Sequence, residues 1–270
     1  MVHPVALMSA LVAYVRVRLP ELSNQFFDLK VPCKPFTRAF FFIYRKEYLF
    51  TMIKAVLFDL DGTLADSLID LADGVNRAIA SKGYPTHDVE AFKYFVGDGI
   101  PKMIERALPP EHRNAEDINE IKDIFLPYYA IHYADNTYAY SGMPELVNTL
   151  KEKGFIVAVV TNKEQHMANE VVTSLYGNVF DLIFGKRDGI PAKPDPTAAL
   201  MAMDELGVKP QECVFIGDSG MDVATAVNSG AVPVGELWGF RKEDELLANG
   251  AKYIINRPEE LLSIIEELNK

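Results

Sequence analysis

With 270 residues and 49% apolar side chains, the chain is long enough for a sizeable core in one or two domains. A net charge of −11 and an isoelectric point near 5.0 argue against a nucleic-acid binder, and any anionic partner has to be neutralised locally. The two cysteines, Cys33 and Cys213, give no disulfide framework. Cys213 opens an apolar stretch and reads as a buried thiol, so a reducing cytoplasm is the expected compartment.

Residues 1–51 differ from the rest of the chain. Seven Lys/Arg against three Asp/Glu give them a net +4, which leaves −15 on the remainder. Their longest uncharged apolar run, Val5 to Val15, is 11 residues, well below the ~18 of a spanning helix. It has the length of a signal-peptide core but lacks a basic start and a cleavage pattern, and a mitochondrial-type presequence would want more Ser. These residues are therefore expected to be an upstream extension outside the catalytic fold, or the product of a start assigned too early. A weak membrane-surface anchor is the alternative. A chain begun at Met52 is expected to fold and act unaided, and its failure to do so refutes this reading.

The organising stretch is 54–67. Ala55 to Phe58 reads as a buried strand, and it stops at Asp59, Leu60, Asp61 and Gly62. Two aspartates at the carboxyl end of a strand face the crevice in which open α/β sheets bind ligands. Asp is poorly suited to strands, which weakens a structural explanation for the pair.

From Asp66 the period changes. Leu68, Leu71, Val75, Ala78 and Ile79 recur at three and four residues, an amphipathic helix that stops at Lys82-Gly83-Tyr84-Pro85. Helical stretches come next at Val89–Phe95, Ile100–Leu108 and about Ala115–Tyr133, and no strand-like run is visible between Asp66 and Tyr140. Within this insert, Gly97-Asp98-Gly99 precedes a helix, where a turn exposes N–H groups to an anion. Arg106 lies two turns on; a solvated helix face is the simpler explanation for it, a cation for the site the sharper one.

Beyond Ser141 strands and helices alternate, which implies parallel strands and crossovers. The predicted order is a helix from Pro144 to Lys153, strand 156–160, helix 164–175, a short strand near Leu182–Phe184, helix 196–206, strand 213–216, helix 221–229, strand 231–234, strand 253–255 and helix 258–268. Strand 156–160 leads into Thr161-Asn162, a natural phosphate position at a helix N-terminus, although capping alone explains Thr161 equally well. Ala192-Lys193-Pro194-Asp195-Pro196 is a rigid turn holding one lysine, with Asp195 as N-cap and Pro196 at the first helical position. Strand 213–216 leads into Gly217-Asp218-Ser219-Gly220-Met221-Asp222, where Asp218 also suits a helix N-cap.

These four stretches, in this order and spacing, resemble the motifs of the haloacid dehalogenase (HAD) superfamily over about residues 52–268. The implied fold is α/β: a Rossmann-like parallel sheet with helices on both faces, plus a small all-α cap after the first strand. The implied division is a core of 52–65 and 141–270, with the cap at 66–140. Gly97-Asp98-Gly99, Thr161-Asn162-Lys163, Lys193-Pro194-Asp195-Pro196 and the Gly217–Asp222 block are closest to phosphoglycolate phosphatases among capped members. The resemblance implies a Mg²⁺-dependent phosphatase acting on a small phosphorylated metabolite, most readily 2-phosphoglycolate.

Asp59 is then the nucleophile that forms an aspartyl phosphate, and Asp61 the general acid and base. The resemblance implies metal ligation by Asp59, the Asp61 main-chain carbonyl and Asp218, with Asp222 acting through water or by orienting Lys193. All-oxygen donors without His or Cys favour Mg²⁺ over zinc. Thr161, Asn162, Lys193 and Gly62 are the expected phosphate-binding positions; neighbouring carboxylates are expected to raise the pKa of Asp61, and a metal and Lys193 to lower it, a balance that the sequence leaves open. In related capped phosphatases the loop matching Gly97–Gly99 selects the leaving group. Rival readings are a pyrophosphatase, a nucleotidase, a β-phosphoglucomutase-like enzyme and, from other classes, a phospho-acceptor signalling domain or a non-catalytic binding protein. His87, His112, His132 and His166 are scattered and read as structural; Trp238 reads as loop packing near the site entrance. Oligomeric state has no signature in the sequence.

Overall fold

A computed structural model describes residues 52–270 of the chain; the expectations for the segment before Met52 lie outside the described residues. Six strands form one parallel sheet: β1 (Ala55–Phe58), β4 (Ile156–Glu164), β5 (Leu182–Lys186), β6 (Cys213–Gly217), β7 (Val232–Glu236) and β8 (Tyr253–Ile255). Their order across the sheet is β5-β4-β1-β6-β7-β8. Ala55 pairs with Ile156 on one side and Cys213 on the other, so β1 sits at the point where the strand order reverses. In such sheets the ligand crevice opens at the carboxyl ends of the strands flanking that point.

Both faces of β1 are buried, as its unbroken apolar run requires. Val56 and Phe58 enter a layer shared with α5 (Met143–Glu152), α6 (Gln165–Tyr176) and α10 (Glu260–Leu268). Ala55 and Leu57 face the opposite layer, against α7 (Thr197–Glu205) and α8 (Gly220–Ser229). Cys213 lies in that second layer, and burial pushes its thiol up to about 12.

Between β1 and α5 the chain makes a helical insert of α1 (Leu68–Ser81), α2 (Val89–Phe92), α3 (Ile100–Ala107) and α4 (Ala115–His132), with a short 3-10 turn at Pro110–His112. Leu71, Val75, Ile79, Phe92, Ile104, Phe125 and Tyr129 form its own buried cluster. Gly74 lets α1 and α4 approach, because a Cβ there would stand 2.8 Å from the Phe125 ring. The chain leaves and re-enters the sheet through a two-strand antiparallel ribbon, β2 (Ala65–Asp66) against β3 (Tyr138–Ala139). Below it the buried Asp70 carboxylate accepts from Asn136 N at 2.9 Å and Thr137 Oγ1 at 2.7 Å, closing the base of the insert.

Several expectations shift. The ribbon strand Tyr138–Ala139 lies in a stretch read as strand-free, since two residues show no period. β4 continues to Glu164, with an irregular register after Val160, so Thr161 and Asn162 lie within its end and not beyond it. α7 begins at Thr197, so Pro196 takes the cap position expected of Asp195, and Asp195, one residue further back, accepts from Thr197 N at 2.9 Å. A six-residue helix, α9 (Glu243–Ala248), occupies a stretch read as loop. No helix among the described residues is long and apolar enough to cross a membrane.

Candidate active site

The strand carrying Asp59 extends by one more bond, Asp59 N donating to Ile216 O at 3.0 Å, and then turns. Leu60 O accepts from the N–H groups of Leu64 and Ala65, both at 2.9 Å, which folds Asp61 and Gly62 back over the end of the sheet. Gly62 adopts φ +99°, a left-handed conformation that favours glycine. A Cβ there would also stand 2.6 Å from Asp218 Oδ2, so the turn lies directly against the Asp218 carboxylate.

Three buried carboxylates converge from two strand ends: one oxygen each of Asp59, Asp218 and Asp222 lies within 4.8 Å of the others. Lys193 Nζ sits 2.7 Å from Asp59 Oδ1 and 2.5 Å from Asp222 Oδ1, with 2% of its side chain exposed. Burial alone would lower the lysine pKa, but Asp222 and Asp59 outweigh it and hold the ammonium charged. The turn bearing Lys193 is itself pinned, Lys193 N donating to Asn162 Oδ1 at 2.8 Å.

Asp222 accepts from Ser219 N at 3.0 Å and Ser219 Oγ at 2.5 Å, and Ser219 Oγ accepts in return from Asp222 N. The helix cap is therefore Ser219, and Asp218 is left free of that task. Asp218 Oδ2 accepts from Phe240 N at 2.9 Å, and its other oxygen lies 3.5 Å from Thr63 Oγ1.

Asp61 has a different set of partners. Its Oδ1 accepts from Ser67 Oγ at 2.6 Å, and Lys163 Nζ lies 3.0 and 3.1 Å from the two carboxylate oxygens. The expected influence of Lys193 on Asp61 is thus corrected. Lys193 pairs with Asp59 and Asp222, and the cation beside Asp61 is Lys163, which is two residues past Thr161 and returns to the site because β4 runs on.

The cleft between sheet and insert is lined by Asp59, Asp61, Thr161, Asn162 and Lys163 on one side. Gly97, Gly99, Val96, Ile100, Met103, Leu71 and Tyr129 face them from the insert. Asn162 reaches across it, Nδ2 donating to Gly97 O at 2.9 Å, so its amide ties the glycine loop to the sheet as well as to the Lys193 turn. Asp98 and Arg106 are absent from this lining. They form an ion pair at 2.5 Å, and Arg106 Nη1 donates to Phe95 O at 3.0 Å, so the arginine braces the Gly97–Gly99 loop and does not supply a cation to the cleft. Trp238 does pack at the site edge, Nε1 donating to Thr63 O at 3.1 Å.

Sequence reasoning missed Lys163 as a site residue, and with it Ser67, Tyr129 and Glu236. Glu236 is fully buried at the end of β7 and accepts from Trp238 N at 2.7 Å and Gly239 N at 3.1 Å, which sets the loop that delivers Phe240 N to Asp218. A lysine straight after Thr161-Asn162 was the available signal for the first; the others have none.

The site holds five carboxylates, Asp59, Asp61, Asp218, Asp222 and Glu236, around two ammonium groups. Burial, then the Asp222 charge, pushes Asp59 up to about 6 despite Lys193. Burial and the Asp222 and Asp59 charges push Asp218 well above the carboxylate range, and burial and Asp218 do the same to Glu236. An excess of converging oxygen donors with too little positive charge is the environment of a hard divalent cation, and no histidine or thiol competes among the three ligands. The donor set fits such an ion.

A parallel α/β sheet with a cation-hungry aspartate cluster at its switch point, beneath a helical insert, defines a hydrolase that works on oxyanionic substrates. The family model for haloacid dehalogenase-like hydrolases matches residues 53–230, and the chain belongs to that family. It is 34% identical over 211 residues to the phosphoglycolate phosphatase of Pseudomonas putida, covering 76% of this chain and 77% of that one. A phosphoglycolate phosphatase of Chromobacterium violaceum is also 34% identical, over 79% of this chain and 97% of its own. A crystal structure from Lactobacillus delbrueckii, provisionally named a phosphoglycolate phosphatase, superposes with a TM-score of 0.75 at 31% identity, over 80% of this chain and 99% of that one. The chain is a phosphatase of this family, a class that generally uses a divalent metal.

Proposed function

We propose that the protein hydrolyses 2-phosphoglycolate to glycolate and phosphate, with Mg²⁺ as its metal, through a phosphorylated Asp59. The observation that carries this reading is the division of labour between two carboxylates two residues apart. Asp59 belongs to the Asp218/Asp222/Lys193 cluster, whereas Asp61 is held separately by Ser67 and Lys163. On this reading one carboxylate meets phosphorus and the other moves a proton.

Asp59 attacks phosphorus, the bond to the ester oxygen breaks, and Asp61 gives its proton to the departing alkoxide. Asp61 then takes a proton from the water that opens the acyl phosphate, releasing phosphate and restoring Asp59. Lys193 and the Thr161 end of β4 hold the phosphoryl oxygens, with Gly62 allowing the backbone to come close. Asp59, Asp218 and the Asp61 carbonyl would hold the metal, with Asp222 acting through water or through Lys193. When bound, the ion supplies positive charge to neutralise the phosphoryl group.

The substrate assignment draws its support from the relatives, phosphoglycolate phosphatases at 34% identity. On this reading residues 66–140 act as the cap of a core made of 52–65 and 141–270, and the enzyme works in the cytoplasm. The test is a screen of small phosphate esters with Mg²⁺, using the wild type and Asp59→Asn. Turnover with a preference for 2-phosphoglycolate, abolished by the substitution, is expected. Preference for a nucleotide or pyrophosphate, or phosphate retained on glucose 6-phosphate, overturns the substrate assignment.

A further inference from the structure

One buried ion pair at the site has a third member with no part in the chemical steps of ester hydrolysis. The Lys163 side chain is 4% exposed, and a buried ammonium is tolerated where its N–H groups find acceptors. The Asp61 carboxylate provides two, at 3.0 and 3.1 Å, and the Tyr129 hydroxyl provides the third at 2.9 Å. Tyr129 comes from α4 of the insert, is 1% exposed, and stacks on Phe125 at 5.0 Å and 18° inside the insert's own cluster. Its position is therefore set by the insert and not by the sheet.

The remaining partner of Asp61, Ser67 at 2.6 Å, is the residue just before α1, where the insert begins. Both restraints on the Asp61 carboxylate thus lead to the insert, one directly and one through Lys163. By contrast, the restraints on Asp59 and Asp222 come from the sheet side, through Lys193 and Ser219.

We propose that Tyr129 is a positioning residue for proton transfer: as the third acceptor of Lys163 it fixes the ammonium, and through it aims the Asp61 carboxyl at the ester oxygen. Without the hydroxyl, Lys163 keeps an unpaired N–H in the interior and turns about its last torsion, and Asp61 moves with it. The inference rests on the phosphatase reading with Asp61 as the acid.

That dependence supplies the test. An alkyl ester departs as an alkoxide and needs the Asp61 proton, whereas acetyl phosphate and p-nitrophenyl phosphate depart as stable anions that do not. Tyr129→Phe is compared with wild type by rapid quench of the first turnover, on 2-phosphoglycolate (or the alkyl ester preferred in the screen) and on one activated ester. The expected result is a loss of about 10- to 100-fold on the alkyl ester, within the range that proton transfer contributes. The activated ester should stay within about twofold of wild type, with half-saturation by either ester unchanged. Lys163→Gln is expected to show the same split and carries the test if Tyr129→Phe does not fold. Equal losses on both esters, or none on either, overturn the proposal. A wild-type protein inert toward every ester instead overturns the phosphatase reading beneath it.

Discussion

Asparagine in place of Asp59 keeps the shape of the side chain and removes one negative charge from a site that has too many. The folded Asp59 carboxyl is pushed from 3.8 up to about 6, chiefly by burial and then by Asp222. A group that holds its proton more tightly when folded stabilises the fold below its unfolded pKa, and that contribution is lost as pH rises through the folded value. At about 1.36 kcal/mol per pH unit, the span is worth roughly 3 kcal/mol. In metal-free buffer, the stability of wild type minus that of Asp59→Asn should therefore fall by roughly 3 kcal/mol from about pH 3 to about pH 7.5. For a chain of this size that is on the order of 6–12 °C in Tm. Urea titrations of both proteins in EDTA read the difference. A divalent metal added at the upper end of that range should restore the wild type more than the variant. A difference that is flat, or that grows with pH, would refute the picture of a site starved of positive charge.

Two other substitutions probe the same geometry. Lys193→Met strands the Asp59 and Asp222 carboxylates without their cation, and should cost about 3–5 kcal/mol in urea melts and at least about 10²-fold in kcat; wild-type kcat in that variant would exclude the lysine from the chemistry. Gly62→Ala drives a Cβ to 2.6 Å from Asp218 Oδ2 and imposes φ +99° on a residue that resists it, at about 1–2 kcal/mol for the backbone. Its measurable consequence is weaker divalent-metal binding by calorimetry, by about tenfold or more, and unchanged affinity would show that the turn does not shape the cluster.

The strands of the sheet and the aspartates at their ends are legible because each is a local pattern: a short apolar run cut off by Asp59, or by Asp218 in Gly217-Asp218-Ser219. Lys193 is legible for a related reason, since the prolines around it announce a fixed turn. What escapes a reading of the chain depends on contacts between segments. Nothing near Tyr129 in the chain distinguishes it from Tyr128, yet the first is buried on Lys163 and the second donates to the exposed Asp73. Lys163 needs β4 to run four residues past its last valine, which an irregular ladder permits and periodicity does not reveal. Arg106 is taken up by Asp98 and the Phe95 carbonyl, because helical spacing fixes its face but not the neighbour it meets. Glu236 is invisible because a buried carboxylate at a strand end looks like the end of burial. The short α9 is hidden by its charge, three acids in its first turn.

The β2–β3 ribbon also makes the molecule modular. Its register, Ala65 with Ala139 and Asp66 with Tyr138, brings the departing and returning chains side by side. Whatever is spliced between them meets the same two anchor points, so a foreign insert grafted across 67–137 leaves every rung of the six-stranded ladder intact. The sheet would keep Asp59, Asp218 and Lys193, while Lys163 would have to find a new hydroxyl in the transplanted helices.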